Sequence, residues 1–164
     1  MPQLIKDGHI VDDTWQYFPE LQVEEPLPQG QVLVPLNYWQ AHAADLADNK
    51  NVGVWIAGDT DLTDIGAALA KLPVVGVFFP AFMDGRGFST GRLLRERYQF
   101  AGELRALGNF IRDQLCYLRR CGFNAFQFAE EENLETALQS LSDFQEYYQA
   151  AVDEPLPLFR RRKA

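Results

Sequence analysis

Between Asp84 and Gly91 the sequence reads DGRGFSTG, three glycines set around an arginine. From Phe79 to Gly108 the chain gathers five of its fifteen basic residues, Arg86, Arg92, Arg95, Arg97 and Arg105. Such residues suit an anion. Glycines let the backbone approach a ligand, a helix N-terminus offers free N–H groups, and arginine adds a planar fork of donors. Arg86, Gly87, Ser89, Arg92, Arg95 and Arg105 are therefore the candidate anion- or partner-binding residues. Ser89 is the expected N-cap of the helix that follows. Arg92 and Arg95, three apart, fall on one helix face and could converge with Arg86. Arg92 is also spaced to pair with Glu96, while Arg95, Arg97 and Arg105 could pair with Glu103 or with the acidic remainder of the chain. If the chain is an enzyme, Asp84 and Glu103 are the candidate acid–base groups.

Other motifs fall short. The spacing G-x-G-x-x-x-G nearly matches a dinucleotide fingerprint. It follows the third expected strand rather than the first, and no acidic residue sits about 20 residues on. A Gly-Lys-Ser/Thr sequence is absent. Asp59, Asp61 and Asp64 could offer oxygens to a divalent ion, but capping of the helix they precede explains them more simply, so no metal is assigned. Cys116 and Cys121, five apart, read as free thiols in a reducing compartment rather than as a redox pair. With only His9 and His42 beside them, they cannot ligate an iron–sulfur cluster. Neither histidine stands in a triad arrangement. No cofactor is identifiable.

The charge pattern narrows the partners. The whole chain carries −8. Residues 81–122 hold eight arginines against four acids, so a positive segment sits in an acidic body. A net negative chain argues against a general nucleic-acid binder and against docking on anionic membranes. A local positive segment suits a small oxyanion or an acidic partner surface. No apolar run approaches the roughly 20 residues that span a bilayer, and the N-terminus lacks a signal-peptide core, so a cytoplasmic location is expected.

These residues need a scaffold. The chain is expected to form one α/β domain over 1–164, with a hairpin and aromatic segment at 1–23, a βα core at 31–152 and an extended basic tail at 153–164. Asp7-Gly8 makes a two-residue hairpin turn between Leu4-Ile5 and Ile10-Val11. Trp15, Tyr17 and Phe18 then read as core or lid. Residues 31–36, 51–58, 73–80 and 123–128 read as strands. Residues 37–49, 59–72, 90–98, about 102–121 and about 131–152 read as helices. Asn37 is the expected N-cap of the first, and Asp61 with Asp64 occupies the first turn of the second. Gly122 is placed as a left-handed C-cap. Glu130 to Glu132 open the last helix, and Leu134, Leu138, Leu141, Phe144 and Tyr148 form its buried stripe. The result is four mainly parallel strands with crossover helices, an open sheet or half-barrel, plus the hairpin. Sites in such folds lie beyond the strand C-termini, here Asn37, the 59–64 loop, the 81–92 loop and Glu130. A half-barrel would let a second copy complete a shared site, so a homodimer is also a candidate assembly.

The block FMDGRGFSTGRLLRERYQFAGELRALGNFIRDQLCYLRRCGFNAF resembles a bacterial family of unassigned function. Its members carry D-G-R-G-(F/Y)-S, then A-R-L-L-R, G-E-(L/I)-R-A-x-G, D-Q and R-C-G-(F/W)-(D/N). The opening KDGHIVDDTWQYF and the closing PLFRRR resemble it too. The pattern falls on Asp84, Gly85, Arg86, Gly87, Ser89, Arg92, Arg95, Gly102, Glu103, Arg105, Asp113, Gln114 and Cys121. Gly91 stands where alanine is usual and Asn124 where aspartate is common. The family's genes commonly lie beside the gene for the assimilatory sulfite reductase haemoprotein, and its members are labelled oxidoreductases of sulfite reduction. The resemblance thus implies a role in assimilatory sulfate or sulfite reduction. Combined with the basic loop, the expectation is an accessory protein that binds a small oxyanion or the sulfite reductase. The alternatives are an oxidoreductase with a loosely bound cofactor, and a salt-bridge network with no ligand.

Overall fold

A computed structural model describes residues 2–129 and 132–162. Among the described residues eight strands form one sheet in the order β2-β1-β8-β7-β6-β5-β4-β3. They are β1 (Gln3–Lys6), β2 (His9–Asp12), β3 (Trp15–Tyr17), β4 (Gln31–Pro35), β5 (Val52–Ala57), β6 (Val74–Phe79), β7 (Glu103–Gly108) and β8 (Ala125–Phe128). Strands β3 to β8 pair in parallel, each beside its sequence neighbour. The hairpin β1–β2 turns on Asp7 and Gly8, both at positive φ (49° and 76°), and lies antiparallel against β8. Positive φ at both turn residues matches the right-handed twist of the flanking strands.

The expectation of four strands is corrected to eight. The additions beyond the hairpin are β3 and β7. The segment 102–121, expected as one helix, is instead β7, a 3-10 turn at Arg112–Gln114 and the short helix α5 (Leu115–Arg120).

The helices are shorter than expected. They are α1 (Leu36–Ala41), α2 (Ala43–Leu46), α3 (Gly66–Leu69), α4 (Arg86–Glu96), α5, α6 (Leu134–Ser140) and α7 (Leu158–Arg161). Pro35, not Asn37, stands at the start of α1; its fixed φ suits that place and it has no N–H to satisfy. Asp61 and Asp64 precede α3 rather than filling its first turn. The helix expected to about 152 ends at Ser140, which leaves Phe144 and Tyr148 exposed rather than in a buried stripe. The tail is not wholly extended, since α7 forms within it. Gly122 follows α5 at φ +100°, as a left-handed C-terminal residue should. Glu130 and Glu131 lie outside the described residues; Glu132 is exposed, and Asn133 caps α6 through Thr136 N–H at 2.9 Å.

Valine-rich strands buried on both faces explain the core. One face of the sheet, carrying Val32, Val34, Val54, Ile56, Val75, Val77, Leu104, Ala106 and Phe126, packs under the helices. On the other face Leu33, Val74 and Leu107 cluster with Trp15, Tyr17, Trp55 and Phe78. Each fully buried Val or Leu contributes about 1.5–3 kcal/mol. The sheet curls as an open half-barrel. Its edge strands, β2 and β3, are joined only by Asp13 and Thr14. Three Cα steps hold Asp12 and Trp15 within about 11 Å of each other.

Candidate functional site

Adjacent parallel strands β5 and β6 deliver Gly58-Asp59 and Pro80 to Gly85 to one rim, beyond their C-terminal ends. Arg86, the first residue of α4, ties these loops together. Its Nε and Nη2 donate to Asp84 Oδ1 and Oδ2 at 2.9 and 2.6 Å, and its Nη1 donates to Asp59 Oδ2 at 2.6 Å. Asp84 Oδ1 also accepts from the Arg86 backbone N–H at 3.1 Å.

Close packing sets the same junction. Gly58 and Gly87 touch so nearly that a Cβ on Gly58 would lie 2.8 Å from Gly87 N. Thr90 Oγ1, buried, donates to Gly58 O at 2.6 Å. Gly87, Thr90, Gly91 and Leu94 form the buried stripe of α4, small residues at helical spacing that let the helix sit low on the sheet.

The hydrogen bonds from Arg86, side chain first, hold the Asp84 carboxyl at about 2, below the ordinary carboxylate range. The two carboxylates in turn raise the pKa of Arg86. Because the folded value for Asp84 is depressed, its stabilising effect is complete above about pH 4 and is lost as pH falls through the folded value. A carbon-detected NMR titration of Asp84 should therefore find a midpoint near 2. In Arg86→Ala the midpoint should rise part of the way towards the ordinary value of about 4, because the backbone N–H of residue 86 still donates to Asp84. An unshifted wild-type midpoint would mean that the pairing is not held in solution.

The rest of the rim is built by side-chain amides. Asn109 Nδ2 donates to Pro80 O at 3.0 Å and Gln114 Nε2 to Phe82 O at 2.8 Å, while Gln114 Oε1 accepts from Ile111 N at 3.1 Å. A cavity of about 420 Å³ lies here, lined by Pro80, Phe82, Asn109, Phe110, Ile111 and Phe128. Phe82 and Met83 stand out of the rim at 52 % and 81 % exposure. Beside them Phe88 stacks on Tyr117, centroids 5.0 Å apart.

The other arginines do not converge on Arg86. Arg92 is exposed on α4 and pairs with Glu96 at 3.0 Å, as its spacing suggests. Ser89 is exposed inside α4, and Gly85 rather than Ser89 occupies the N-cap, without a side-chain cap. Arg95 turns inward, and its acceptors are the carbonyls of Phe100, Gly102 and Gly122 and the Asn124 side chain, not Glu103. Arg105 lies inside the curl, 1 % exposed, bonded to Glu103, Asp13 and Gln127. The two acid–base candidates lie at opposite strand ends. Asp84 follows the C-terminal end of β6, while Glu103 opens β7 opposite Val74. Asp13, Lys6 and Gln127, none singled out by the sequence, complete the Glu103–Arg105 cluster. Asp13 and Arg105 are 92 residues apart, and nothing local marks them as partners.

Asp59 is taken by Arg86, and Asp61 Oδ1 accepts from Thr63 N–H and Oγ1 at 2.9 and 2.6 Å. Among the described residues no three His, Cys, Asp or Glu side chains gather as a metal site. Cys116 and Cys121 are free thiols and buried; Cys116 hydrogen-bonds the Tyr147 hydroxyl, and burial pushes the Cys121 thiol up, away from the reactive thiolate. No helix of the described residues is long and apolar enough to cross a membrane.

An α/β protein with a curled sheet, carrying a fixed arginine–glycine junction at its strand C-termini, is what the fold and site define. The chain belongs to a family described as a bacterial protein of unknown function, DUF934, whose profile matches residues 53–159. No curated protein and no solved structure matches it.

Proposed function

We propose that this protein is an accessory of assimilatory sulfite reduction and that it acts by docking the sulfite reductase at the rim of Arg86. The exposed Phe82–Met83 pair carries this reading. Two large apolar side chains stand in solvent, and hydrogen bonds tie their loop to the neighbouring strand ends. A rigid apolar projection costs little ordering entropy when a partner covers it, and such projections commonly anchor interfaces. Arg86 keeps two N–H groups beyond its carboxylate partners, and Arg92 and Arg112 are exposed on the same segment. Each has a carboxylate neighbour, Asp59 and Asp84 for Arg86, Glu96 for Arg92 and Asp113 for Arg112, so they supply hydrogen-bond donors around the apolar pair rather than net positive charge. The resemblance to a family encoded beside the reductase supports the choice of partner. A small oxyanion is less well served, since Arg86 already holds two carboxylates and Arg95 and Arg105 are turned inward.

Growth of a strain lacking the protein tests the role. It is expected to grow on sulfide but not on sulfite, with rescue by the wild type. Rescue should fail with Phe82→Asp/Met83→Asp and with Arg86→Ala/Arg92→Ala. Purified reductase should bind the first pair at least about tenfold more weakly than wild type. Normal growth on sulfite would overturn the role. Binding of sulfite by the isolated chain would move the rim's ligand to the oxyanion, and conversion of sulfite by the chain alone would make it an oxidoreductase.

A further inference from the structure

The N-terminal ends of the parallel strands form a mouth at the end of the curl opposite the rim, and a cavity of about 410 Å³ opens there. Its lining includes Lys6, Trp15, Gln31, Lys50, Gly102 and Glu103. Strand alternation turns the strand members to one face, the inside of the curl. Trp15 lies opposite Gln31 and clusters with Leu33 and Val74, and Glu103 lies opposite Val74. Lys6 points the same way, because Ile5 before it packs on the helix side. Its ammonium reaches Glu103 Oε2 at 2.7 Å, which sets the charge at the head of β7. Lys6, Trp15 and Glu103 also line an adjoining cavity of about 420 Å³, so the ammonium and the indole border one continuous space.

The free hydrogen-bonding capacity says what would fit. Lys6 has one partner, is 39 % exposed and keeps two N–H groups. Lys50, in the turn before β5, is exposed and forms no ion pair among the described residues. Trp15 is half-buried; its backbone N–H donates to Asp13 Oδ1 at 3.0 Å, and its indole N–H has no partner among the described residues. The carboxylates of the lining are largely spent. Glu103 Oε1 and Oε2 accept from Arg105 and Lys6, and Asp7 Oδ1 accepts from Asn124 Nδ2 at 2.9 Å. With donors in surplus, the missing partner must bring acceptors. Asp7 and Glu103 still stand beside it, so one negative charge suits the mouth better than two. The ring of Trp15 adds a flat apolar wall.

We propose that this mouth binds a small monocarboxylate with a flat apolar body, its carboxylate held by Lys6 and Lys50 and its body laid against the Trp15 ring. The site is separate from the rim and does not depend on its reading. Calorimetric titration of the full chain with benzoate tests it, with benzamide as the uncharged control and sulfate as the doubly charged one. Benzoate should bind, and each control should bind at least about tenfold more weakly. In the ¹H–¹⁵N spectrum benzoate should move the indole N–H of Trp15 and leave that of Trp39, buried on the helix side, in place. Lys6→Met and Lys50→Met should each weaken binding about tenfold, the loss of a charged hydrogen bond. Lys50 makes no ion pair in the fold, so Lys50→Met keeps the test valid if Lys6→Met unfolds the protein. Phe82→Asp/Met83→Asp should bind like wild type. The proposal falls if benzoate does not bind, if either control binds equally, or if Lys50→Met binds undiminished.

Discussion

Arg105→Met is expected to lower the unfolding free energy by about 3–5 kcal/mol, seen as an earlier midpoint in urea. Arginine at this position is 1 % exposed and answers two buried carboxylates, Asp13 and Glu103. Methionine fills similar volume, so the loss reports the stranded charges rather than a void. Adding Asp13→Asn and Glu103→Gln to the same variant should recover most of the loss, because the two amides carry no charge to strand. If the triple variant is no more stable than Arg105→Met, the ion chain is not what the substitution disturbs. The effect is large also for topological reasons. Asp13 is half of the two-residue link between the edge strands, and Arg105 fastens that link to β7.

A second large effect is expected at Arg95. Its Nε donates to Gly122 O at 2.9 Å, its Nη1 to Phe100 O and Gly102 O at 2.6 and 2.9 Å, and its Nη2 to Asn124 Oδ1 at 3.0 Å. Asn124 passes the restraint on, accepting from Leu104 N at 2.8 Å and donating to Asp7 Oδ1 at 2.9 Å. One side chain thus joins the end of α4, the approach to β7, the turn into β8 and the hairpin turn. Arg95→Met should destabilise the chain by about 2–4 kcal/mol, since each lost charged hydrogen bond leaves a carbonyl short of a donor. Arg95→Lys should recover little, because a single ammonium cannot span four acceptors set by a planar fork. Hydrogen exchange localises the effect: the Leu104 and Asn124 amides should lose protection before those of β5. Uniform loss across the sheet would contradict this.

The same two arginines show where sequence reading stops. The strands β4, β5 and β6 are runs of Val, Ile and Phe between turn residues, and such runs announce themselves. The run ELRALG of β7 does not. Glu, Leu, Arg and Ala are good helix formers, and their spacing continues a helical stripe into Leu115. Tertiary partners overrule that preference: Glu103 and Arg105 face the interior of the curl, where Lys6 and Asp13 wait from the other end of the chain. β3 is three residues long and lacks any periodic signal. At the rim, the Asp84–Arg86 pair is local, and the 59–64 and 81–92 loops are brought together by β5 and β6 as parallel strands require. What the spacing could not reveal was that Arg95 turns inward, which depends on carbonyls exposed only once β7 exists.

The pairing of β1 with β8 has a consequence for how the chain is made. Ile5 lies opposite Phe126 and Lys6 opposite Ala125, so the first strand finds its place beside the last. A two-stranded hairpin is marginal alone in water. During synthesis β1 and β2 emerge first, with no sheet to join until residue 128 has left the ribosome. They must then close a contact across most of the chain, among the slowest kinds of folding event. Nascent chains stopped short of β7 lack both β8 and the Arg105 and Glu103 partners of Asp13 and Lys6, and should therefore carry an unanchored hairpin, open to proteases and chaperones. Full-length chains should bury Leu4 and Ile5 in a final, cooperative step.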